Sequence, residues 1–160
     1  MWTKSKSAAL SLICTKILIG ASIALAVALP FILSGGYQAS VDLIDAAIAY
    51  QRLPAITIYA IFICAYACIA FALIALFSLN SLLRNIKKEF VFSPENIKCL
   101  RIISWCCFAI AIIMFCGWPF IHVVLIFVAA AAAFFGILMR VIKNVFEAAR
   151  EIKDENDFTI

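Results

Sequence analysis

Seven cysteines, a single histidine and a close pair of aspartates are the residues of this chain whose types suggest chemistry beyond packing. Cys64 and Cys68 share a helical face and could form a soft-metal or redox pair. The other five are Cys14, Cys99, Cys106, Cys107 and Cys116. No C-x-x-C occurs, and His122 is the one imidazole available to complete a metal set. The competing reading takes cysteine as a small apolar filler between helices. An odd count also argues against a disulfide framework. His122, beside Trp118 and Pro119, reads either as a pH sensor or as an interfacial residue, the second being preferred. Asp42 and Asp45, three residues apart, have the spacing of a solvated helix face. No phosphate-binding glycine loop, H-E-x-x-H or G-x-S-x-G is present. The chain is therefore expected to be no enzyme and to carry no cofactor or metal.

The elements that would position any of these residues are set by hydropathy. Hydrophobic residues make up 67% of the chain and charged residues 14%. Soluble domains run at about 45–50% and 25%, and 160 residues cannot hide such an excess from water. Four apolar runs approach the ~20 residues that cross a bilayer as a helix. They cover about residues 17–36, 55–79, 102–118 and 120–139, and a cytoplasmic helix and tail follow over 140–160. Trp118-Pro119 should fold the last two into a tight hairpin. The first run, with Lys4 and Lys6 before it and Ala26 to Ala28 within it, imitates a cleaved signal peptide. It continues through Pro30 to Leu33, so a retained span is expected.

Basic residues set the orientation. Lys16, Arg84, Lys87, Lys88, Lys98, Arg101, Arg140 and Lys143 border the spans on one side, while Arg52 is alone on the other. This asymmetry places both termini in the cytoplasm. The net charge of +4 is then a topology signal and no nucleic-acid footprint. No acidic or basic residue lies mid-span, where proton relays and voltage sensors need one. The expected fold is all-α and a single domain, an integral membrane bundle of four transmembrane helices. Ser40 should cap a short outer interfacial helix between spans 1 and 2, with Val41, Ile44, Ala47 and Ile48 on its apolar face.

The stretch from Asn85 to Arg101 interrupts the apolar pattern. Arg84, Lys87 and Lys88 suit both the end of a helix dipole and anionic headgroups. Ser93, Pro94 and Glu95 then open the third helix as N-cap, first residue and first-turn acid, with Phe92 and Ile97 at staple positions. Near the C-terminus, Leu138, Ile142, Val145, Ala149 and Ile152 mark one apolar face, with Glu147 spaced to pair with Lys143 and Arg150. Small residues repeat every fourth position at Gly20, Ala24 and Ala28, at Ala60, Cys64, Cys68 and Ala72, and at Ala132 and Gly136. Such ladders serve an intramolecular bundle or a homo-oligomer equally well.

These motifs carry a resemblance. Asn85, Ile86 and Lys88, then Phe92, Ser93, Glu95, Asn96 and Ile97, and finally Glu155, Asp157, Thr159 and Ile160 follow N-[IL]-x-K, F-[ST]-x-E-N-[IV] and E-x-[DE]-L-T-[IV]. The chain resembles, across its span number and loop placement, the small bacterial four-span proteins of domain of unknown function twenty-nine seventy-five. Glu89-Phe90 stands where that family often has Gly, and Phe158 where Leu is usual. The resemblance implies a bacterial plasma-membrane location. It also implies a regulatory role, because such proteins neighbour small helix-turn-helix regulators; it supplies no catalytic residue.

Two functions are expected, in order. The first is a membrane-anchored sensor or tether for a cytoplasmic regulator, recognised through Asn85, Asn96, Glu155, Asp157 and Thr159, polar residues that helix and membrane physics leave unexplained. The second is a small transport, pore or immunity protein. The expected partners are the lipid bilayer, a cytoplasmic regulator protein and a second copy of the chain, with no direct nucleic-acid contact.

Overall fold

The computed structural model describes residues 4–44, 55–88, 93–117 and 123–157. They form four helices: α1 Lys4–Ile44, α2 Ala55–Lys87, α3 Pro94–Gly117 and α4 Val124–Asp157. All four are long and apolar enough to cross a membrane. At ~1.5 Å rise per residue, the 24 residues of α3 reach ~36 Å, just over the ~30 Å hydrocarbon core. The 33 and 34 residues of α2 and α4 reach ~50 Å and must project beyond it. This is the multi-pass, all-α membrane fold expected from hydropathy.

The helices pack in a row. α1 lies against α2, α2 against α3 and α3 against α4, with no close backbone approach between non-neighbours among the described residues. The start of α1, the end of α2, the start of α3 and the end of α4 share one end of the row, here called the basic end. α3 is the middle of the packing, burying Ile97, Leu100, Ile103, Cys106 and Ala111. Large apolar side chains such as Ile17, Phe31, Ile63, Phe127 and Phe134 face outward, where lipid is the matching solvent.

Two helix contacts explain particular residues. Gly136 lets the Phe108 ring approach so closely that an added Cβ would sit 3.3 Å from three ring carbons. One turn earlier on α3, buried Ser104 donates its hydroxyl to the Gly136 carbonyl at 2.8 Å. The small residue in α4 is thus a point of helix contact, as its ladder suggested. Gly20 on α1 has nothing within 4 Å of such a Cβ, so this glycine marks no helix contact among the described residues.

The second contact is at Pro30, inside α1. Proline has no N–H, so the carbonyl four residues earlier, that of Ala26, loses its helical donor. Tyr66 of α2 supplies one, its hydroxyl donating to the Ala26 oxygen at 3.2 Å. A break in one helix is thereby satisfied by its neighbour, as lipid demands.

Several local expectations change. α1 passes Ser40 without interruption and ends at Ile44, so Ser40 caps no separate helix. Local Ser-x-Asp chemistry imitates a start, but a continuing helix satisfies the same backbone groups. The rest of the expected interfacial helix, the Trp118-Pro119 hairpin, Phe92 and His122 lie outside the described residues. α4 does run on to Asp157, as expected. Its periodic apolar face does not pack on α3, however. Val145 is 61% exposed and Ile152 67%, with Leu138 and Ile142 also exposed. Beyond the apolar span, Glu147 reaches Arg101 of α3 in an ion pair, while Phe146 and Ala149 are half-buried.

Candidate functional site

At the basic end, the turn between α2 and α3 is closed by its own side chains. Ser93 precedes the helix, and the Asn96 N–H donates to its carbonyl at 3.1 Å and its hydroxyl oxygen at 3.4 Å. This is the N-cap the Ser93-Pro94-Glu95 pattern predicts. The end of α2 is closed by the Lys88 N–H, which donates to the Asn85 carbonyl at 3.1 Å.

The two asparagines then join. Asn85 Nδ2 donates to Asn96 Oδ1 at 2.9 Å, and Asn96 is 0% exposed. Asn96 was expected on a recognition surface, yet in this arrangement no part of it is open to a partner. Its position has a structural cause: it links the last turn of one helix to the first turn of the next. Glu155 is exposed on the terminal turns of α4, and Asp157 is the last residue of that helix. Thr159 lies outside the described residues. Of the four described residues, two form a clasp and two lie on the last turns of α4.

α3 and α4 are bridged by charge. Arg101 Nη2 lies 3.4 Å from Glu147 Oε1, and Lys143 Nζ lies 2.6 Å from Glu147 Oε2. The hydrogen bond from Lys143, reinforced by the charges of Lys143 and Arg101, holds the Glu147 carboxyl below its usual pKa. Lys143 pairs as its spacing predicts. Arg150 instead takes Asp154, at 3.5 Å, because Glu147 already holds two cations. An open recess of about 370 Å³ lies between Pro94, Ile97 and Lys98 of α3 and Arg150, Glu151 and Asp154 of α4. Arg140, two turns before Glu147, sits over the Trp105 ring at 5.2 Å and near Phe108 at 6.0 Å. Such a stack keeps a cation at the edge of the apolar span.

The cations of α1 and α2 are arranged differently. Lys16, Arg84, Lys87 and Lys88 are all exposed and line one groove between the two helices. Sequence reasoning missed two polar residues: Asn80, which lines this groove, and Ser104, which bonds Gly136 between α3 and α4. The signal available was a polar side chain inside an apolar run, as in "FSLNSLL" and "IISWCC". Among the described residues no group of three or more His, Cys, Asp or Glu side chains comes together as a metal site.

Residues 38–160 match the family described as Protein of unknown function (DUF2975). The chain belongs to this family. The match takes in α2, α3, α4 and the last turns of α1, and so includes the asparagine clasp and the ion-paired extension. It is narrower than the whole-chain resemblance, and Lys16 falls outside it. No curated protein and no solved structure matches the chain.

Proposed function

We propose that this DUF2975 member is a membrane-anchored tether or sensor of the bacterial plasma membrane, with its basic end in the cytoplasm, that docks a basic regulatory protein on the α4 extension. The observation that supports this reading is the uncovered stripe Val145, Ala148 and Ile152, all exposed at three- and four-residue spacing. Ile152 lies twelve residues beyond Arg140, about 18 Å along the helix. The headgroup layer adds only about 5–7 Å on each side of the hydrocarbon, so lipid does not cover Ile152. An apolar stripe in water is a signature of association.

Charge gives the occupant its chemistry. Glu151, Asp154, Glu155 and Asp157 crowd the same stretch of sequence, with Lys153 the one base after Arg150. A basic amphipathic surface, such as a helix of a helix-turn-helix regulator, complements both properties. Asn85 and Asn96 contribute by joining the end of α2 to the start of α3, beside the α4 extension, and Asn85 is the half-buried member of the pair.

The test compares two variants in cells, one lacking residues 154–160 and one carrying Ile152→Lys. Both should insert in the membrane at wild-type levels. Proximity labelling from the C-terminus should show the same basic cytoplasmic protein leaving the membrane fraction in both. If the labelled set is unchanged in both variants, the docking reading is wrong.

A further inference from the structure

The groove between α1 and α2 at the basic end has an unusual charge balance. It encloses about 630 Å³ and is lined by Leu12, Lys16, Asn80, Arg84, Lys87 and Lys88. No described acidic residue lines it, and α2 contains none at all. On α3 and α4, Arg101, Lys143 and Arg150 each meet a carboxylate. Among the described residues, none of the four groove cations enters an ion pair of that kind. No described carboxylate balances them, which leaves the groove open to an external anion.

Asn80 adds a second, independent observation. It lies one turn deeper than Arg84, and its Oδ1 is buried without a hydrogen-bond partner. An acceptor left unmade in this way is costly. Rotation about χ2, a broad torsion, turns this oxygen toward the groove it lines. Its natural complement is a hydroxyl or amine donor carried by the same ligand that satisfies the cations. A phosphodiester offers only acceptors, so the donor must be carried by the group esterified to it.

We infer that the groove binds an anionic glycerophospholipid headgroup, its phosphodiester held by Lys16, Arg84, Lys87 and Lys88 and a headgroup hydroxyl donating to Asn80. The shared chemistry, a phosphate bearing a hydroxylated group, also exists in soluble glycerophosphates. The membrane source is favoured because α1 and α2 run on from Lys16 and Asn80 into exposed apolar surface, Ile17 and Phe77 among it, where acyl chains can lie. This inference rests on the membrane fold and not on the docking of a protein to α4.

The experiment uses the full-length protein in nanodiscs or mild detergent and native mass spectrometry. The probes are phosphatidylglycerol, phosphatidylmethanol (a phosphodiester of the same charge without a headgroup hydroxyl), phosphatidylcholine, and water-soluble glycerol phosphate. Wild type should retain phosphatidylglycerol about tenfold over phosphatidylcholine and severalfold over phosphatidylmethanol. Arg84→Gln, at an exposed site, should weaken both anionic lipids together. Asn80→Leu should abolish the preference for phosphatidylglycerol over phosphatidylmethanol while leaving both above phosphatidylcholine. Because that preference is read as a ratio within one variant, a modest loss of stability does not imitate it. Equal retention of phosphatidylglycerol and phosphatidylcholine would overturn the site. An unchanged preference in Asn80→Leu would overturn the role of Asn80, and displacement of the lipid by equimolar glycerol phosphate would overturn the membrane source.

Discussion

Tyr66→Phe removes one oxygen, and the contact at Ala26 makes its cost depend on a residue elsewhere in α1. With Pro30 in place, the Ala26 carbonyl has no helical donor, and the Tyr66 hydroxyl at 3.2 Å is its partner. Interhelical hydrogen bonds in membrane proteins average ~0.6 kcal/mol and reach ~1.7. A 3.2 Å separation is longer than the usual O–H···O, which argues for the lower part of that range. Leaving a carbonyl unpaired in lipid pushes the other way. Tyr66→Phe should therefore destabilise by about 1 kcal/mol. Pro30→Ala restores an N–H to the helix, so in that background the same change should cost about 0.3 kcal/mol, the second carbonyl lone pair being all that is lost. The assay is a double-mutant cycle from reversible unfolding in mixed micelles, followed by far-ultraviolet circular dichroism. A Tyr66→Phe cost that is the same with Pro30 and with Ala at that position would refute the reasoning.

The remaining predictions concern the basic end. The clasp predicts that Asn85→Ala and Asn96→Ala each destabilise by about 1–2 kcal/mol, with a coupling near 1 kcal/mol because they share one 2.9 Å bond; additive effects would break the clasp. Glu147 is held below the ordinary carboxylate pKa of about 4.3, so its contribution is complete above that value and lost as pH falls through the lower folded value. Thermal unfolding between pH 7 and 3 should therefore lose an acid-sensitive component in Glu147→Gln, and identical pH profiles would contradict the pairing. Membrane-impermeant thiol reagents on intact cells should label exposed Cys116 and spare Cys14 and Cys99, and labelling of Cys99 from outside would invert the proposed orientation.

What the sequence revealed and what it hid divide by the range of the interaction. Four helices were readable because each apolar run must satisfy its own backbone in lipid, and Ser93-Pro94 marked a helix start through contacts within three residues. Ser40 misled for the same reason, since a cap is local chemistry and the continuation of α1 is not. The bond of Tyr66 to Ala26 spans forty residues, and the Asn85–Asn96 clasp eleven. Helix periodicity predicts neither, because it fixes faces and leaves open which faces meet. The row arrangement was hidden likewise, as was the turning of Val145 and Ile152 away from α3. Lys143 and Glu147, four apart on one helix, were readable; Arg101 as their third member required the tertiary structure.

The docking of a basic cytoplasmic protein on the α4 extension is tested most directly by a photo-crosslinking amino acid placed at Ile152 in living cells. Phe127, on the exposed apolar part of the same helix, serves as the lipid-facing control. The account predicts one discrete adduct at position 152 with a basic cytoplasmic protein, weakened when Glu151, Asp154 and Glu155 are neutralised, and none at position 127. An adduct with twice the mass of this chain, or none at position 152, would contradict it.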